Sequence, residues 1–511
     1  MFAGSHAGYL LAFLASLVVM LGVGVWVARR TTSGEDFLLA GRRLGTPLLL
    51  GTTLATLVGT GSSLGAVGFA YENGWAGALY GIGGAAGVLA LLWLFADVRR
   101  HGFMTFSEEM SYYYGASRAV KGVVAVTMLV AEVGWLGAHI LGGALYLSYL
   151  TGMDPTTAKV AVALGFGLYT VIGGYLAVVV TDAVQGTILF VGFTILATLA
   201  LVAAGGFSGI NSSVPGEATS MLGVEALGPI PAVSQALVIA VGVLATPSYR
   251  QRIYSAASVR TVRRGFALVG VLFAAFAVMP AIAGLAARAM QPGLDNPDMA
   301  FPYLATTVFP VWLGAFLLIA GLSATMSSGD SDAITAVTIL LRDVAQLVTG
   351  RLPRAERMVG YSRVALVGVL AAALVCALAA TTIIDYISLM ISTVLTGLLV
   401  AAVLGKFWRR ATWQGGLAAI AGGSAAALAV ETSESWSALW GNPVLPSLAA
   451  AVVAGVAVSL ATPRQRVSRE EALRRLAAER AELDVGTRVR GGETEQDREE
   501  TAGDGGSASG G

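Results

Sequence analysis

The most unusual stretch of this sequence is a polar cluster inside an apolar run. Its members are Ser327, Ser328, Asp330, Ser331 and Asp332. A lipid-facing helix excludes so many polar side chains, so the cluster must face protein or water.

Paired hydroxyl groups in such a place could bind a cation. Na⁺ prefers several oxygen ligands with little net charge, and Ser327, Ser328 and the carbonyl of Ala324 one turn earlier would provide some of them. In the alternative, both hydroxyls bond back to carbonyls of their own helix, and Asp330 serves as an internal salt-bridge partner.

Other ionisable residues lie earlier in the chain. Glu132 and His139 are separated by seven positions, which places them on roughly one helix face with Trp135 between them. A proton relay is one interpretation, because ionisable groups inside membranes are often functional. A Glu132 that pairs with an arginine in a cavity is the other.

The composition sets the class of protein. The chain has 511 residues, 56% of them hydrophobic and only 12% charged. Long apolar runs exclude the alternating pattern of a β-barrel, so we expect an all-α polytopic membrane protein in contact with the lipid bilayer.

A net charge of +1 argues against nucleic acid as a partner. Three histidines and one cysteine offer no nucleophile–base pair or metal cluster, so we expect no enzyme activity.

Thirteen apolar runs are long enough to cross a bilayer. They fall near 9–27, 46–70, 77–97, 119–149, 157–180, 183–204, 231–252, 264–289, 308–345, 359–381, 383–405, 412–430 and 443–461. The first is followed at once by Arg29 and Arg30, the reverse of a cleavable signal peptide, and should stay in the membrane.

Basic residues recur in alternate loops, among them the loop from Arg250 to Arg264. The exception is a very short predicted loop near Thr181 and Asp182. This pattern predicts an outside N-terminus and a cytoplasmic C-terminus. Arg250 and Arg252 are interpreted as positive-inside residues first and as anion contacts second. Arginine far outnumbers lysine, and alanine and glycine are abundant. This composition is typical of a GC-rich bacterial genome, so we expect the protein in a bacterial inner membrane.

Two of the runs look interrupted. Residues 53–70 read TLATLVGTGSSLGAVGFA, and the run near 231–252 contains Gly242 and Pro247. Both should unwind readily, although glycine also allows close helix packing. The two runs are five spans apart, and a five-span repeat must be inverted because an odd number of crossings reverses the second copy. Matching breaks in inverted repeats indicate a midplane site for a solute and an ion.

The chain thus divides into four parts. We expect an extra helix and an inner loop over 1–45, a five-plus-five core over 46–405, two further spans over 406–463 and a cytoplasmic segment over 464–511. In that segment, Ser468 begins a short helix over 468–484, and the remainder should be disordered.

Four separated stretches resemble the sodium:solute symporter family. They are GEDFLLAGRRLG (34–45), YTVIGGYLAVVVTDAVQG (169–186), ATMSSGDSDAITAVTILLRD (324–343) and KFWRRATWQGGLAAIAGG (406–423). They follow the family's order and spacing. The resemblance implies thirteen helices, alternating access and Na⁺ as the coupling ion.

The resemblance also implies an ion site. In the family one Na⁺ lies between the broken first core helix and the eighth core helix. The positions that match the family's ligands are the carbonyls of Ala55, Val58 and Ala324 and the hydroxyls of Ser327 and Ser328. Asp182 matches a family carboxylate near the inner path of the ion; a solvated helix cap is the alternative.

The solute is less defined. Leu57 stands where proline transporters have a carboxylate, and the run at 77–97 lacks the carboxylate that sugar transporters use. These departures favour a small organic acid or an amino acid.

The solute site should lie at the first break. We expect Gly59, Gly61, Ser62 and Ser63 to meet a solute carboxylate at a half-helix end, although both serines could simply hydrate the break. The resulting interpretation is a Na⁺-driven importer of a small organic solute. The alternatives are a proton-coupled transporter that uses Glu132, Asp182 or Asp330, and a membrane sensor with a transporter fold.

Overall fold

The computed structural model describes residues 2–28, 39–350, 355–380 and 382–480, and no β-strand occurs among them. The principal helices α1 to α10 are Phe2–Ala28, Thr46–Leu57, Ala66–Asn73, Ala78–Phe95, Phe106–Tyr113, Arg118–Thr151, Pro155–Ala203, Gly206–Ser213, Pro229–Ala245 and Pro247–Ser255. Helices α11 to α19 are Val259–Phe276, Val278–Met290, Val311–Ile339, Ala355–Ala379, Ile383–Met390, Thr396–Phe407, Trp413–Glu431, Val444–Ala461 and 469–480.

The bundle has the polarity of a membrane protein. Within the described residues, nine helical segments are long and apolar enough to cross a bilayer, or ten if the bent pair α9–α10 is one span. Large apolar side chains face outward, as Trp93 does with 84% of its surface exposed, whereas Arg250 and Arg252 are fully buried. Apolar groups outside and polar groups inside suit a hydrocarbon solvent. Arg29 and Arg30 lie outside the described residues.

Helix α7 differs from the prediction. Thr181 and Asp182, where the sequence predicted a short loop, are helical within Pro155–Ala203, and no glycine or proline interrupts residues 175–185. A straight helix of 49 residues would be about 74 Å long, yet both ends of α7 lie at one end of the bundle. Lys159 Nζ near its start donates to the Ala380 carbonyl, and the Phe207 ring just after its end stacks on Trp75. The chain therefore reverses direction within 155–203, and the two separate spans stay a prediction.

Both predicted interruptions are present. Helix α2 ends at Leu57, Val58 leaves the helical region with φ −84° and ψ 58°, and the chain passes through a π-helical turn at Gly61–Gly65 before α3 begins. Helices α9 and α10 meet at an angle of 45° around Thr246. Pro247 explains this second bend, because it lacks the N–H group that would continue the helix.

Helix α19 packs against one end of the bundle. Ser468 caps it, since its Oγ accepts a hydrogen bond from the Glu471 N–H at 3.2 Å, and this confirms the predicted helix start. Arg480 at the other end of α19 pairs with Glu108 of α5 at 2.6 Å. We call this the α19 end of the bundle. The predicted remainder of the helix and the predicted disordered tail, 481–511, lie outside the described residues.

A buried ion pair joins α10 to α5 near the α19 end. Arg250 Nη1 lies 3.2 Å from Glu109 Oε1, and both side chains are fully buried. The hydroxyls of Tyr113 and Tyr254 also donate to the Glu109 carboxylate, and the guanidinium of Arg250 lies 3.5 Å from the centre of the Phe95 ring. Several partners therefore compensate for the removal of two charges from water.

We predict that Arg250→Ala destabilises the protein by about 3–5 kcal/mol, because it leaves the Glu109 carboxylate buried without its countercharge. Equilibrium unfolding of the purified protein in a mixed-detergent titration measures this loss. The matched control is Arg263→Ala, since Arg263 is exposed on α11 and should cost less than about 1 kcal/mol. Equal losses in the two variants would refute a stabilising role for the pair.

Candidate functional site

The two broken helices meet at a central cavity. It has a volume of about 30 Å³, which is room for one or two water molecules. Its lining comes from both breaks and from the helices between them: Thr56, Leu57, Gly59, Gly61, Tyr80, Trp135, His139, Thr246, Ser248, Tyr249, Ser328 and Asp332. A solute larger than water therefore requires these side chains to move apart.

The predicted ion ligands come together beside this cavity. Ser327 Oγ donates to the Ala55 carbonyl at 3.1 Å and lies 3.4 Å from the Ala324 carbonyl of its own helix. Ser328 Oγ donates to the Thr56 carbonyl at 3.1 Å. Both hydroxyls thus bond across to the first break, and the alternative of purely local bonding applies only to the longer Ala324 contact.

Val58, the fifth predicted ligand, directly follows the last residue of α2. Its N–H still donates to the Leu54 carbonyl at 2.8 Å, but its ψ of 58° takes the following peptide out of the helix. Close packing fixes this geometry: a Cβ on Gly59 would lie 2.6 Å from Ser328 Oγ. Only glycine fits here without displacing the predicted ion ligand.

The four predicted solute residues separate into two pairs. Gly59 and Gly61 line the cavity. Ser62 Oγ instead donates to the Leu57 carbonyl at 2.8 Å, and Ser63 Oγ donates to the Gly59 carbonyl at 2.7 Å. These hydroxyls satisfy carbonyls that the break has released, so the structure gives Ser62 and Ser63 a role in the backbone of the break. Solute binding at Gly59 and Gly61 stays a prediction.

Asp182 is fully buried, so the alternative of a solvated helix cap was wrong. Its Oδ2 accepts from Thr52 Oγ1 at 2.6 Å and Ser331 Oγ at 3.2 Å, and it lies 3.3 Å from Arg252 Nη2. Asp182 Oδ1 has no hydrogen-bond partner among the described residues. The carboxylate therefore joins α2, α7, α10 and α13 between the cavity and the α19 end of the bundle.

The sequence placed Arg252 in a basic loop and not in this group. Arg250 and Arg252 were interpreted as positive-inside residues first and as anion contacts second. Both are fully buried, and they pair with Glu109 and Asp182, which agrees with the second interpretation. The available signal was the short helix PSYRQRIYS directly after the second break. A polar segment of that kind between two apolar spans can fold into the protein interior, where its charges find partners.

A second polar group lies on the other side of the cavity. His139 Nδ1 is 2.7 Å from Thr60 Oγ1, and His139 Nε2 is 3.1 Å from Asp332 Oδ2. Glu132 Oε1 accepts from the Ser248 N–H at 3.1 Å, so its contact is the start of α10 instead of the arginine considered from the sequence. His139 contacts the first break through Thr60, and Glu132 contacts the second break through Ser248.

Asp298 closes the end of the bundle opposite the α19 end. Its Oδ2 accepts from the Ile383 N–H at 3.3 Å, and a Cβ on Gly68 would lie 2.5 Å from its Oδ1. Burial raises the pKa of the Asp298 carboxyl to about 7. This contact holds α3 against the loop before α13 and against α15.

A multi-pass bundle with two broken helices around a polar cavity has the architecture of a membrane transporter. Residues 37–423 match the model of the sodium:solute symporter family. Because the match covers most of the chain, the chain belongs to that family. Its members are transporters and not enzymes.

Relatives and solved structures agree with this assignment. The chain is 26% identical over 464 residues to the sodium/pantothenate symporter of Escherichia coli, covering 87% of this chain and 95% of that one. It is 25% identical over 460 residues to the high-affinity proline transporter of Bacillus subtilis, covering 86% and 94%. A solved Na⁺-coupled sialic acid symporter has a TM-score of 0.78 at 17% identity, covering 90% and 99%, and this shows a shared fold.

We predict that cysteine at position 248 is more reactive than cysteine at position 62. In a Cys376→Ala background, Ser248→Cys should react faster with a water-soluble thiol reagent, because Ser248 lines the cavity whereas Ser62 is bonded to the Leu57 carbonyl. Mass spectrometry of membrane vesicles over time measures both rates. Equal rates, or a faster Ser62→Cys, would mean that the lining assigned here is wrong.

Proposed function

We propose that this protein is a Na⁺-coupled symporter that imports a small organic solute by alternating access. The observation that carries the proposal is the contact of the Ser327 and Ser328 hydroxyls with the Ala55 and Thr56 carbonyls at the first break. Broken helices with released carbonyls are a common way to coordinate Na⁺ in transporters. The proposed ligands are the carbonyls of Ala55, Val58 and Ala324 and the hydroxyls of Ser327 and Ser328.

The proposed architecture has thirteen spans. Helices α2–α3 and α9–α10 would be the first members of two inverted five-span repeats within a core over 46–405, preceded by an extra helix and followed by two more spans and a cytoplasmic segment from 464. The support is that both bent helices reach one cavity, as a pseudo-two-fold relation requires. We place the protein in the bacterial inner membrane with its N-terminus outside.

Na⁺ would act by holding α2 against α13. When the cation is bound, oxygens of both helices share it, and their relative position is fixed. When it leaves, the carbonyls at the first break depend on hydroxyls, those of Ser62 and Ser63 within the break and those of Ser327 and Ser328 on α13. A ligand that binds one conformation better shifts the population toward it, which links the ion to the shape of the cavity.

The solute class we propose is a small organic acid or an amino acid. The two bacterial relatives are named for pantothenate and proline. The cavity lies beside Gly59 and Gly61, where backbone groups at the end of a half-helix would meet a solute carboxylate.

We predict that Ser327→Ala combined with Ser328→Ala weakens Na⁺ affinity at least about tenfold, or roughly 1.4 kcal/mol, because two proposed ligands are lost. The Na⁺-dependent rise in melting temperature of the purified protein reports the affinity. Ser323→Ala, on the same helix and also buried, is the matched control and should keep the wild-type response. An unchanged Na⁺ response in the double variant would contradict the proposed ion site.

We predict that Asp182→Asn impairs coupling more than solute recognition. The variant keeps the shape but leaves Arg252 without its countercharge, so uptake should slow and require more Na⁺. The test measures uptake of the solute that best stabilises the wild type, against competing solutes, at several Na⁺ concentrations. A changed ranking of competitors with a normal Na⁺ response would instead place Asp182 in the solute site.

A further inference from the structure

The cavity wall carries more negative than positive charge. Asp332 lines the cavity, and Glu132 lies directly behind Ser248 and Asp332; both acids are buried. The nearest guanidinium, that of Arg252, is engaged by Asp182 at 3.3 Å and cannot fully compensate two further carboxylates. Buried charges of one sign are costly without a countercharge.

Each of the two acids has a partner within the protein. Glu132 Oε1 accepts from the Ser248 N–H at 3.1 Å, and Ser248 and Asp332 both line the cavity. Asp332 Oδ2 lies 3.1 Å from His139 Nε2. Among the described residues, no donor reaches Glu132 Oε2, and Ser248 Oγ is likewise without a partner. The His139 imidazole pairs with Asp332 at 3.1 Å, and among the described residues no cationic side chain lies within salt-bridge distance of Glu132, so this wall has a place for one further positive group.

Aromatic rings surround the same wall. Tyr80, Trp135 and Tyr249 all line the cavity. The Trp135 indole N–H is held by Thr246 Oγ1 at 3.1 Å, and the Trp135 ring stacks on the His139 imidazole with centroids 6.5 Å apart. Ring faces near carboxylates attract cations, including substituted ammonium groups that donate few or no hydrogen bonds.

We propose that the solute carries a positively charged ammonium group, which binds at Asp332 and Glu132 among these rings. The inference rests on the proposed function, in which this cavity holds the solute. It narrows the proposed classes to amines and amino acids. An organic acid without an amine would bring another negative charge to a wall that already has two.

The test is built on a pair of solutes that have nearly the same shape and differ in charge. Choline and its neutral carbon analogue 3,3-dimethyl-1-butanol have nearly the same shape; L-proline and ethanolamine extend the ammonium set, and pantothenate represents an anion without an ammonium group. Each is added to the purified full-length protein with Na⁺, and the melting temperature is recorded. We expect at least one ammonium compound to raise it and the neutral analogue and the anion to leave it unchanged.

Variants assign the effect to the acidic pair. Asp332→Asn and Glu132→Gln should each weaken the affinity for the stabilising ammonium compound at least about tenfold, and Asp332→Glu should restore part of it. The matched control is Asp343→Asn, which alters a buried acid farther along the same helical segment, bonded to Thr105. If one variant does not fold, the other two and the shape-matched pair of choline and 3,3-dimethyl-1-butanol still test the proposal.

Three outcomes would overturn the inference. They are no response to any ammonium compound, an equal response to 3,3-dimethyl-1-butanol, and stabilisation by pantothenate that Asp332→Asn strengthens. The same measurements without added solute report the effect of Na⁺ alone. Failure of the symport proposal appears there as no Na⁺ response, so the two failures are distinguishable.

Discussion

Every backbone polar group inside a bilayer needs a partner within the protein, and the first broken helix is where this requirement is most demanding. The chain leaves the helix at Val58 and returns through a π-helical turn. Ser62 and Ser63 satisfy carbonyls released on their own side, while Ser327 and Ser328 reach across from α13 to satisfy others. The break therefore depends on hydrogen bonds that a second helix, α13, donates to it.

This dependence couples local structure to the arrangement of the whole bundle. The hydroxyls of α13 can complete the break only while α2 and α13 are in contact, and the absence of a side chain at Gly59 allows that contact. Any movement that separates the two helices exposes carbonyls that must find another partner, such as a cation or water. A small, reversible change at the break can thus be linked to a larger change in helix positions.

Buried charges impose a second constraint, and they are distributed unevenly. Between the cavity and the α19 end, Arg252 meets Asp182 and Arg250 meets Glu109, so positive and negative charges balance. Beside the cavity, Glu132 and Asp332 face His139 without a second arginine. The cost of burying charge is compensated by protein partners in the first region, and the excess acidity of the second is a feature of the cavity itself.

The sequence by itself determined the features that depend on local composition. Long apolar runs fixed the class as a helical membrane protein, and glycine with proline located both breaks, because these residues act on the backbone wherever they occur. The polar cluster at Ser327 and Ser328 could be recognised because polar side chains are rare in apolar runs.

Only the tertiary structure decided which polar groups meet. The sequence placed Arg252 in a basic loop, and its meeting with Asp182, Thr52 of α2 and Ser331 of α13 depends on the packing of the bundle. The packing also decides that Gly59 and Gly61 line the cavity. The hydroxyls of Ser62 and Ser63 instead turn back to carbonyls of the break. Periodicity indicates that a residue is buried, whereas its partner is set by helices distant in sequence that pack against it.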